Sequence, residues 1–599
     1  MFKYKLKLNR LKKLSRLYSG LTGGEVIYQK LKENKVQDVF LYTGGAVMPL
    51  IDAFYQGDIN YYINTHEQSG GHAAMGYAKS TNKPGVSIVT SGPGLTNSIT
   101  PLTDATNDSV PLVLFSGQVP LKAMGTNAFQ ECPSVDITKP VTKWSYCVES
   151  VSDLPDVVDH AFKVATSGKK GAVHIDLPKC ITSSMFTSNN KSENILPELN
   201  HLSNEFLDTS NMDKIAELIN NSKQPIILLG QGCNNYPELI NRLVEITSIP
   251  VTTTIHAMGV YDETNPLSLE FLGMHGSVAA NQAVQNADLI LALGTRFDDR
   301  TTGVIEKYAP KAFQAHKEKT GGIIHVNINN EEINKVIESH YNYNMDVKEF
   351  LDLLIPQLKK NIRNQWLSNN FKNKIESKFD YNKNNKGLLT QQVIEEIGNY
   401  LLKNNKDFYV STGVGNHQMM AAQFIKWRKP KTYLSSGSLG VMGVGLPYAI
   451  GCQIANPKSL VIDIDGDGSF NHTLSELKTI QNYNLPVKIA IMNDTNLGMV
   501  RAWEELFFEE NYTATDLIQN PDYCKIADSY DIMSIYCDSE EDLKKSIKEF
   551  LEYPDPILAE FKVVPDLCLP LVPPGKGLNE MITLNKTNNL TFSNELPPG

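Results

Sequence analysis

Short apolar runs alternate with glycine-rich turns and amphipathic segments along most of the chain from Val36 onward. Such runs include VQDVFLY and PLVLFSG early in the chain, PIILLGQG and ADLILALG in the middle, and SLVIDIDGDG and VKIAIMND later. This alternation is typical of parallel sheets whose strands are connected by helices. Because three blocks of similar length repeat it, we expect an α/β protein with three doubly wound parallel-sheet domains.

Polar stretches rich in Ser and Asn or in Lys and Asn separate the three blocks and predict the domain boundaries. The expected organisation is an N-terminal arm at 1–20, a first domain at 21–185, a linker at 186–210, a central domain at 211–358, a linker at 359–386, a third domain at 387–565 and a C-terminal arm at 566–599.

Length, charge and cysteine content exclude several classes of protein. The 599 residues are enough for about three or four domains. The formal charge of −10, without a basic stripe in the body of the chain, argues against nucleic acid as a partner. No apolar run approaches the roughly 18 residues of a membrane span, so no membrane partner is expected. Eight scattered cysteines without a C-x-x-C pair indicate reduced thiols in a cytoplasm-like compartment.

The first 19 residues contain seven Lys or Arg and no acidic residue. Two interpretations remain open at this stage. A solvated basic arm fits a cytoplasmic protein, whereas a transit peptide would direct the chain to the mitochondrial or plastid matrix. Transit peptides are usually rich in Arg and Ser, and this stretch is mainly Lys, which favours the basic arm.

A phosphate and metal site is predicted where the run SLVIDIDGDGSF ends in Gly466-Asp467-Gly468. Glycines allow a phosphate to approach the backbone, a following helix offers free N–H groups, and an Asp can hold a divalent cation. Another predicted strand ends at Asn493-Asp494, with 24 residues between Gly468 and Asn493. One connecting helix takes up about that length, so the two strand ends can meet at one Mg²⁺.

This pair of motifs resembles the thiamine-diphosphate-dependent enzymes, which carry GDG, some two dozen residues, and then NN. The resemblance implies Mg²⁺ ligands at Asp467, Asp494 and the backbone carbonyl of Asn496. The second Asn of the family motif is Asp494 here, which keeps an oxygen donor and adds a negative charge.

The family also needs a carboxylate that protonates the aminopyrimidine ring of its cofactor. Glu67 lies where the predicted strand YYIN gives way to a helix rich in small residues, in HEQSGGHAAMGYA. From position alone, Glu67 could instead be a first-turn acid favoured by the helix dipole. The resemblance implies that Glu67 is the activating carboxylate.

Loops STGVGNHQ and SSGSLGVMGVG resemble those that surround the aminopyrimidine, where the carbonyl of Gly440 accepts a hydrogen bond and Met442 supports the bent cofactor. The residues that the resemblance assigns to thiamine diphosphate are Glu67, Val414, Gly415, Asn416, His417, Gly440, Met442, Gly466, Asp467, Gly468, Ser469, Asp494, Asn496, Gly498 and Met499.

The middle block resembles the acetohydroxyacid synthase (acetolactate synthase) family, through LGMHG at 272–276 and NADLILALGTRFDDRTTG at 286–303. The central domain of that family binds FAD, and arginine forks suit phosphate and flavin oxygens. The residues that the resemblance assigns to FAD are Lys169, Gly230, Gly232, Thr254, Ile255, Leu272, Gly273, Met274, His275, Gly294, Arg296, Asp298, Arg300, Asn327, Asp346 and Val347. Without the resemblance, the R-F-D-D-R charges would be read as a surface ion-pair cluster.

Other segments resemble the substrate side of the same family. GTNAFQECP brings Phe129 and Gln130 near the second substrate, DLPK brings Lys179 to the mouth, and NLGMVRAW supplies Met499 and Trp503. A large side chain that narrows the pocket fits discrimination between 2-ketobutyrate and pyruvate. The segment PLVPPGKGLNEMI resembles the C-terminal arm that closes over the site.

Three positions depart from the family pattern. Thr43 replaces the usual Pro in a G-Y-P-G-G-A turn, Lys169 replaces an Arg that contacts FAD, and Asn327 replaces an acidic residue at the ribose-binding strand end. Lys keeps the charge but loses the bidentate fork. Because two of the three departures concern FAD, we expect FAD to bind more weakly than is usual.

The resemblance implies a catalytic subunit that decarboxylates pyruvate and condenses the product with a second pyruvate or with 2-ketobutyrate. It also implies FAD retained for structure, a homodimer or dimer of dimers with shared active sites, and a possible small regulatory subunit. Two alternatives remain open: another enzyme of the superfamily, such as pyruvate oxidase or a carboligase, and an inactive homologue. The presence of Glu67 argues against carboligases of the type that lacks this residue.

Overall fold

The computed structural model describes residues 17–187, 211–383, 386–517, 519–584 and 589–592. These residues form three six-stranded sheets whose paired strands are all parallel. The predicted fold class, three doubly wound α/β domains, is confirmed. Most of the predicted N-terminal arm and of the first linker lies outside the described residues, and the domain boundaries stay predictions.

The first sheet has the strand order β2-β1-β3-β4-β6-β5. Its strands are β1 (Asp38–Leu41), β2 (Asn60–Ile63), β3 (Gly85–Val89), β4 (Leu112–Gln118), β5 (Trp144–Cys147) and β6 (Ala172–Pro178). The helices around it are α1 (Gly23–Glu33), α2 (Met48–Asp52), α3 (Glu67–Ser80), α4 (Pro93–Asn97), α5 (Ile99–Asn107), α6 (Ser134–Thr138), α7 (Leu154–Thr166) and α8 (Lys179–Ser183). Strands β3, β4 and β6 are fully buried, which explains why most of their residues are apolar.

The central sheet has the order β12-β11-β10-β7-β8-β9. Its strands are β7 (Pro225–Leu229), β8 (Val251–Thr253), β9 (Ser268–Phe271), β10 (Leu289–Leu293), β11 (Gly322–Val326) and β12 (Tyr341–Tyr343). Its helices are α9 (Met212–Asn221), α10 (Pro237–Thr247), α11 (Val278–Asn286), α12 (Asp299–Thr302), α13 (Pro310–Lys317), α14 (Val347–Leu354) and α15 (Asn364–Glu376). The strand order reverses between β7 and β10, which is where open α/β sheets bind ligands.

Helix α15 lies inside the segment that the sequence analysis treats as a linker, 359–386. Its Trp366 is buried and donates a hydrogen bond to the carbonyl of Pro225 at 2.8 Å. Arg363, just before the helix, is also buried and donates to the carbonyls of Ile219, Ser222 and Thr247. Arg363 and Trp366 therefore attach this segment to the central domain, although most of its Lys and Asn residues are exposed or only partly buried.

The third sheet repeats the topology of the first, with the order β14-β13-β15-β16-β18-β17. Its strands are β13 (Phe408–Thr412), β14 (Tyr433–Leu434), β15 (Leu460–Gly466), β16 (Lys488–Asn493), β17 (Met533–Cys537) and β18 (Ile557–Lys562). Its helices are α16 (Thr390–Asn404), α17 (Asn416–Phe424), α18 (Gly445–Ala455), α19 (Asp467–Phe470), α20 (Leu477–Tyr483), α21 (Gly498–Phe507), α22 (Tyr523–Ser529) and α23 (Glu540–Glu552). Here the order reverses between β13 and β15.

The C-terminal segment crosses from the third domain onto the central domain. The carbonyl of Cys568 accepts a hydrogen bond from His275, and that of Leu578 accepts one from Asn281. Leu578 and Met581 are fully buried. A short antiparallel pair, β19 (Ile582–Leu584) and β20 (Leu590–Phe592), follows. Among the described residues, no helix is long and apolar enough to span a membrane.

Helices α3 and α18 cross at the contact between the first and third domains. A Cβ added at Gly451 would lie 1.7 Å from the carbonyl oxygen of Ala73, and one at Gly76 would lie 2.3 Å from that of Tyr448. Both positions therefore need glycine so that the backbones can approach. The core between the two sheets is continuous through this crossing, with Tyr448 fully buried.

Candidate active site

The carboxyl ends of β13 and β15 form a cradle for a phosphate group. Gly415 is the residue before α17 and provides no side-chain cap. The N–H of Gln418 donates to the carbonyl of Gly415 at 3.1 Å, whereas the N–H groups of Asn416 and His417 point out of the start of this nine-residue helix. A Cβ at Gly466 would lie 2.7 Å from the ring of His417, and one at Gly468 would lie 2.7 Å from Leu497. Both glycines thus sit where the chain is closely packed around the predicted diphosphate site.

Two carboxylates lie beside this cradle, as the sequence predicts. Asp467 is buried, and its oxygens accept hydrogen bonds from the N–H of Gly468 at 2.9 Å and from Asn520 at 2.6 Å. Asp494 accepts a hydrogen bond from the N–H of Asn496 at 2.9 Å. Burial raises the pKa of Asp467 to about 6, and burial together with the charge of Asp467 raises the pKa of Asp494 to about 7.

Several buried polar atoms at the same strand ends have no hydrogen-bond partner among the described residues. They include Oδ1 of Asn416 and Oδ2 of Asp465. Buried polar atoms are normally satisfied, so unpaired ones at a strand-end crevice are consistent with a polar ligand. Together with the two carboxylates, they show that these residues fit a diphosphate and a divalent cation.

Two residues that the sequence analysis missed support the carboxylates. Asn520 donates to both Asp467 and Asn493, and Asn493 donates to the buried Glu560 at 2.7 Å. Asn493 therefore organises the strand ends through Asn520 and Glu560. No sequence spacing indicates Asn520 or Glu560, because neither lies in a recognisable motif.

Glu67 is the first residue of α3, and the ring nitrogen of His66 accepts a hydrogen bond from the N–H of Gln68 to cap this helix. One carboxylate oxygen of Glu67 accepts a hydrogen bond from Asn97 at 3.0 Å. Asn97 is the last residue of α4 and is a further contact that sequence reasoning missed. Glu67 is partly exposed.

A large cavity of about 1020 Å³ lies where the three domains meet. It brings together most residues predicted for FAD and some predicted for the thiamine end. From the FAD set it is lined by Lys169, Gly232, Thr254, Ile255, Leu272, Met274, His275, Gly294, Arg296, Asp298, Arg300, Asn327, Asp346 and Val347, and from the other sets by Val414, Gly415, Gly440, Met442, Met499 and Trp503. Gly230 and Gly273, also predicted for FAD, do not line the cavity.

Glycines shape the cavity where the central sheet reverses its strand order. A Cβ at Gly230, directly after β7, would lie 2.2 Å from the carbonyl oxygen of Gly294, directly after β10. Gly294 has a positive φ of 61°, and the N–H of Gly232 donates to its carbonyl at 3.2 Å. Because these glycines have no side chains, the two strand ends can approach each other and still leave space in front of them, as a dinucleotide site requires.

Positive side chains line the cavity and already have protein partners. Lys169 binds the buried carboxylate of Glu332 at 2.7 Å, and Arg296 donates to the carbonyl of Asn107 and to Ser438. Burial alone would raise the pKa of Glu332, but the bond from Lys169, together with the positive charges of Lys169, Lys335 and Arg296, holds that pKa below its ordinary value. Glu332 is a cavity residue that the sequence analysis missed.

Asn327 is buried, and both the nitrogen and the oxygen of its side-chain amide form hydrogen bonds. It donates to the carbonyl of Thr295 at 2.8 Å and accepts from the N–H of Asn329 at 2.9 Å. An aspartate could accept the second bond but could not donate the first. Asn327 therefore fixes the turn after β11 as well as facing the cavity.

The remaining predicted substrate residues lie outside this cavity. Phe129 is 88% exposed, Lys179 begins α8 at the surface, and Gln130 has a positive φ of 61° in the loop that carries Phe129. Glu67 does not line the cavity either. A single chain thus does not bring these residues together with Met499 and Trp503 in that cavity.

The fold and site define a thiamine pyrophosphate enzyme. Three family models match in succession: the N-terminal TPP binding domain at 21–138, the central domain at 212–354 and the C-terminal TPP binding domain at 413–561. The order of the domains agrees with the three sheets.

Curated relatives narrow the family. The chain is 42% identical over 583 residues to the mitochondrial acetolactate synthase catalytic subunit of Saccharomyces cerevisiae, covering 95% of this chain and 84% of that one. It is 43% identical to the mitochondrial acetolactate synthase of Schizosaccharomyces pombe, covering 94% and 87%. It is 39% identical to the chloroplastic acetolactate synthase of Arabidopsis thaliana, covering 94% and 84%. The chain belongs to the acetolactate synthase catalytic-subunit family.

Proposed function

We propose that this chain condenses two molecules of pyruvate to 2-acetolactate with loss of CO₂, and also accepts 2-ketobutyrate as the second substrate. The observation that carries the proposal is the pair of carboxylates, Asp467 and Asp494, beside the uncapped start of α17. Met442, Met499 and Trp503 extend from that site to the cavity. Bound thiamine diphosphate would supply the carbanion chemistry that joins the two keto acids.

The proposed roles of the chain's own groups follow from their positions. Asp467, Asp494 and the carbonyl of Asn496 would hold Mg²⁺, and the first N–H groups of α17 would bind phosphate oxygens. Glu67 would share a proton with the aminopyrimidine ring, and its bond from Asn97 orients the carboxylate. The bent shape would depend on Met442, which lines the cavity beside Gly440.

The acceptor pocket would be formed by α21. Trp503 and Phe507 are in edge contact, with ring centroids 5.2 Å apart. Because Trp503 is supported from one side, it presents a fixed flat face that narrows the pocket. This arrangement supports a preference for 2-ketobutyrate over a second pyruvate, since an added methylene gains contact with the ring.

FAD would occupy the cavity between the three domains. The cradle at Gly230, Gly232 and Gly294 and the cations Arg296 and Arg300 support this assignment. The proposed reaction has no net redox change, so FAD would hold the domains together. Lys169 is already paired with Glu332, which supports weaker FAD binding than an arginine fork would give.

We also propose a homodimer, or a dimer of dimers, in which the first domain of one subunit completes the third-domain site of its partner. The exposed side chain of Phe129 in the first domain, and the exposed Leu439 and Val500 that line the cavity, support partner surfaces at both places. A small regulatory subunit remains part of the proposal.

The names of the relatives favour an organellar matrix over the cytoplasm expected from the cysteines. Residues 1–16, which bear on this choice, lie outside the described residues. Imaging a fluorescent fusion with and without these residues tests the compartment: retention in the cytoplasm with residues 1–16 present would contradict organellar targeting.

The first experiment is a pyruvate assay with thiamine diphosphate and Mg²⁺, with and without FAD, in which acetolactate, acetaldehyde and peroxide are measured separately. Acetolactate should be the main product. Peroxide would point to an oxidase, and no product to an inactive homologue.

In Glu67→Gln, turnover should fall at least about 100-fold while thiamine diphosphate binding persists. The exposed Glu541→Gln is the matched control.

A further inference from the structure

Glu476 is a fully buried carboxylate at the end of a short 3-10 turn, Leu474–Glu476, in the third domain. It accepts hydrogen bonds from the first domain: Nδ2 of Asn64 at 3.0 Å, the N–H of Thr65 at 2.9 Å and Oγ1 of Thr65 at 2.5 Å. It also accepts one from Thr479 in its own domain at 2.6 Å. A buried carboxylate with four donors is firmly held.

The residues that Glu476 binds form the turn that leads to Glu67. Strand β2 ends at Ile63 and α3 begins at Glu67, so Asn64 and Thr65 belong to the short turn that connects them. The N–H of Ile63 donates to the hydroxyl of Tyr483, also in the third domain, at 2.8 Å. Side chains of the third domain therefore fix this turn at three successive residues.

The same stretch of the third domain also reaches the cofactor cradle. Asp467 begins the stretch that ends at Glu476. Two residues between them bind Gly443. Ser469 accepts a hydrogen bond from the N–H of Gly443 at 2.9 Å, and Thr473 donates one to the carbonyl of Gly443 at 2.8 Å. Gly443 follows Met442 directly. The segment 467–476 thus connects the proposed metal ligand Asp467, the residue next to Met442, and the turn that leads to Glu67.

We propose that Glu476 is a positioning residue for Glu67: it fixes the Asn64-Thr65 turn and so sets where the activating carboxylate points. The inference rests on the proposed function, in which Glu67 acts on the cofactor. In a dimer with shared sites, the Glu67 that Glu476 positions serves the partner's cofactor. Residues 467–476 would then connect the two active sites of the dimer.

The first test separates positioning from cofactor binding. In Glu476→Gln, the carboxamide keeps one acceptor but turns an NH₂ group toward donors, so the turn should shift. A misplacement of about 1 Å costs on the order of 100-fold in rate, so we expect kcat to fall about 10- to 100-fold. KM for pyruvate and the affinities for thiamine diphosphate and Mg²⁺ should change less than about threefold.

Two variants on the other side of the contact keep the test independent of one substitution. Thr65→Val removes the hydroxyl donor and should lower kcat in the same way, whereas Thr65→Ser should restore it. In the double variant the losses should not add, because both changes break one interaction. Glu263→Gln is the control: this buried glutamate also accepts a backbone bond across domains, from Trp427, but lies away from the turn.

Mixed dimers decide which site Glu476 serves. Pairing a Glu67→Gln subunit with an Asp467→Ala subunit leaves one intact site if sites are shared, so about half of wild-type activity should return. Pairing Glu67→Gln with Glu476→Gln should give no more activity than Glu476→Gln alone, because the only intact Glu67 then sits on the loosened turn. Recovery of about half of wild-type activity would instead show that Glu476 acts on its own domain's cradle and would overturn the proposal.

The two proposals can fail separately. If the Glu67→Gln and Asp467→Ala pair gives no activity, the sites are not shared, and the dimer of the proposed function is wrong. The kcat and binding measurements on Glu476→Gln and Thr65→Val still decide the positioning role. Unchanged kcat in both variants, or an equal loss of thiamine diphosphate affinity, would refute it.

Discussion

A single substitution relative to the family motif, Asp494, changes the charge of the proposed metal site. Burial raises the pKa of both Asp467 and Asp494, and the charge of Asp467 raises the pKa of Asp494 further. Protons and Mg²⁺ therefore compete for the same oxygens. With a pKa of about 7 for Asp494, the apparent Mg²⁺ affinity should fall as the pH drops from 8 to 6.

We expect Asp494→Asn to weaken Mg²⁺ binding about tenfold at pH 8, since a charged ligand is lost, and to flatten the pH dependence between 8 and 6. Titration of Mg²⁺ against the protein with thiamine diphosphate present, at both pH values, measures this. Asp407→Asn, a surface carboxylate paired with Lys429, is the control. Equal pH dependence in wild type and Asp494→Asn would contradict the assignment.

The pair formed by Lys169 and Glu332 predicts how FAD binding responds to substitution. Glu332 is buried in the cavity wall, and its other contact is the exposed Lys335 at 3.6 Å. Lys169→Gln leaves this carboxylate largely uncompensated beside an anionic ligand, so FAD affinity should fall at least about tenfold.

Lys169→Arg keeps the charge and adds a second donor direction, so it should bind FAD as well as wild type or better. Flavin fluorescence during dialysis measures retention in these variants. Lys335→Gln removes only the longer, more exposed ion pair to the same carboxylate; because Lys335 also lines the cavity, its effect should be smaller than that of Lys169→Gln but not zero. Equal retention in Lys169→Gln and wild type would exclude a role for this pair in flavin binding.

At the scale of elements, the crossing of α3 and α18 holds the first and third domains together. Gly451→Ala places a Cβ 1.7 Å from a backbone carbonyl, and backbone cannot rotate away as a side chain can. The helices must separate, which should lower the free energy of unfolding by about 3 kcal/mol.

Denaturant unfolding followed by circular dichroism measures this loss. Gly70→Ala in α3 is the control, because its nearest neighbours, atoms of Asn64, lie 3.5 Å from the added Cβ. That variant should stay within about 1 kcal/mol of wild type, since Ala is the better helix former. A Gly451→Ala protein as stable as Gly70→Ala would mean that the crossing is more loosely packed.

The sequence predicts the strands well because buried parallel strands are rich in apolar residues, as in the wholly apolar β10. It also predicts the metal site, because Asp467 and Asp494 follow neighbouring strands at a helix-length spacing. It does not predict Glu476, Glu332 or Asn520. Their partners, such as Thr65 and Lys169, are distant in the sequence, and a buried acid cannot be told from a surface one by spacing alone.

At helix α15 the sequence predicts a linker where the structure has a packed helix. A stretch rich in Lys and Asn is typical of a linker, yet its Trp366 fills a gap beside β7 and its polar residues satisfy carbonyl groups. The composition indicates solvent exposure only on average. A single buried aromatic residue with an N–H partner is enough to fix the helix on the central domain.

At the scale of the whole molecule, the central cavity is the place where a ligand can couple the three domains. Its wall includes Lys169 from the first domain, Arg296 and Arg300 from the central domain, and Ser438 from the third, and Arg296 already donates to Ser438. A ligand that binds only the folded state stabilises it by about 2.7 kcal/mol at 100 times its Kd. We therefore expect FAD to raise the thermal unfolding temperature of flavin-free protein by at least a few degrees.

Differential scanning calorimetry of flavin-free protein, with increasing FAD, measures this shift. Arg296→Gln removes a donor to both the first and third domains, so the shift at a given FAD concentration should be smaller than in wild type. Arg428→Gln is the matched control, since Arg428 binds Asp262 on the surface and does not line the cavity. If FAD leaves the unfolding temperature unchanged while acetolactate is still made, the cavity does not couple the domains through flavin.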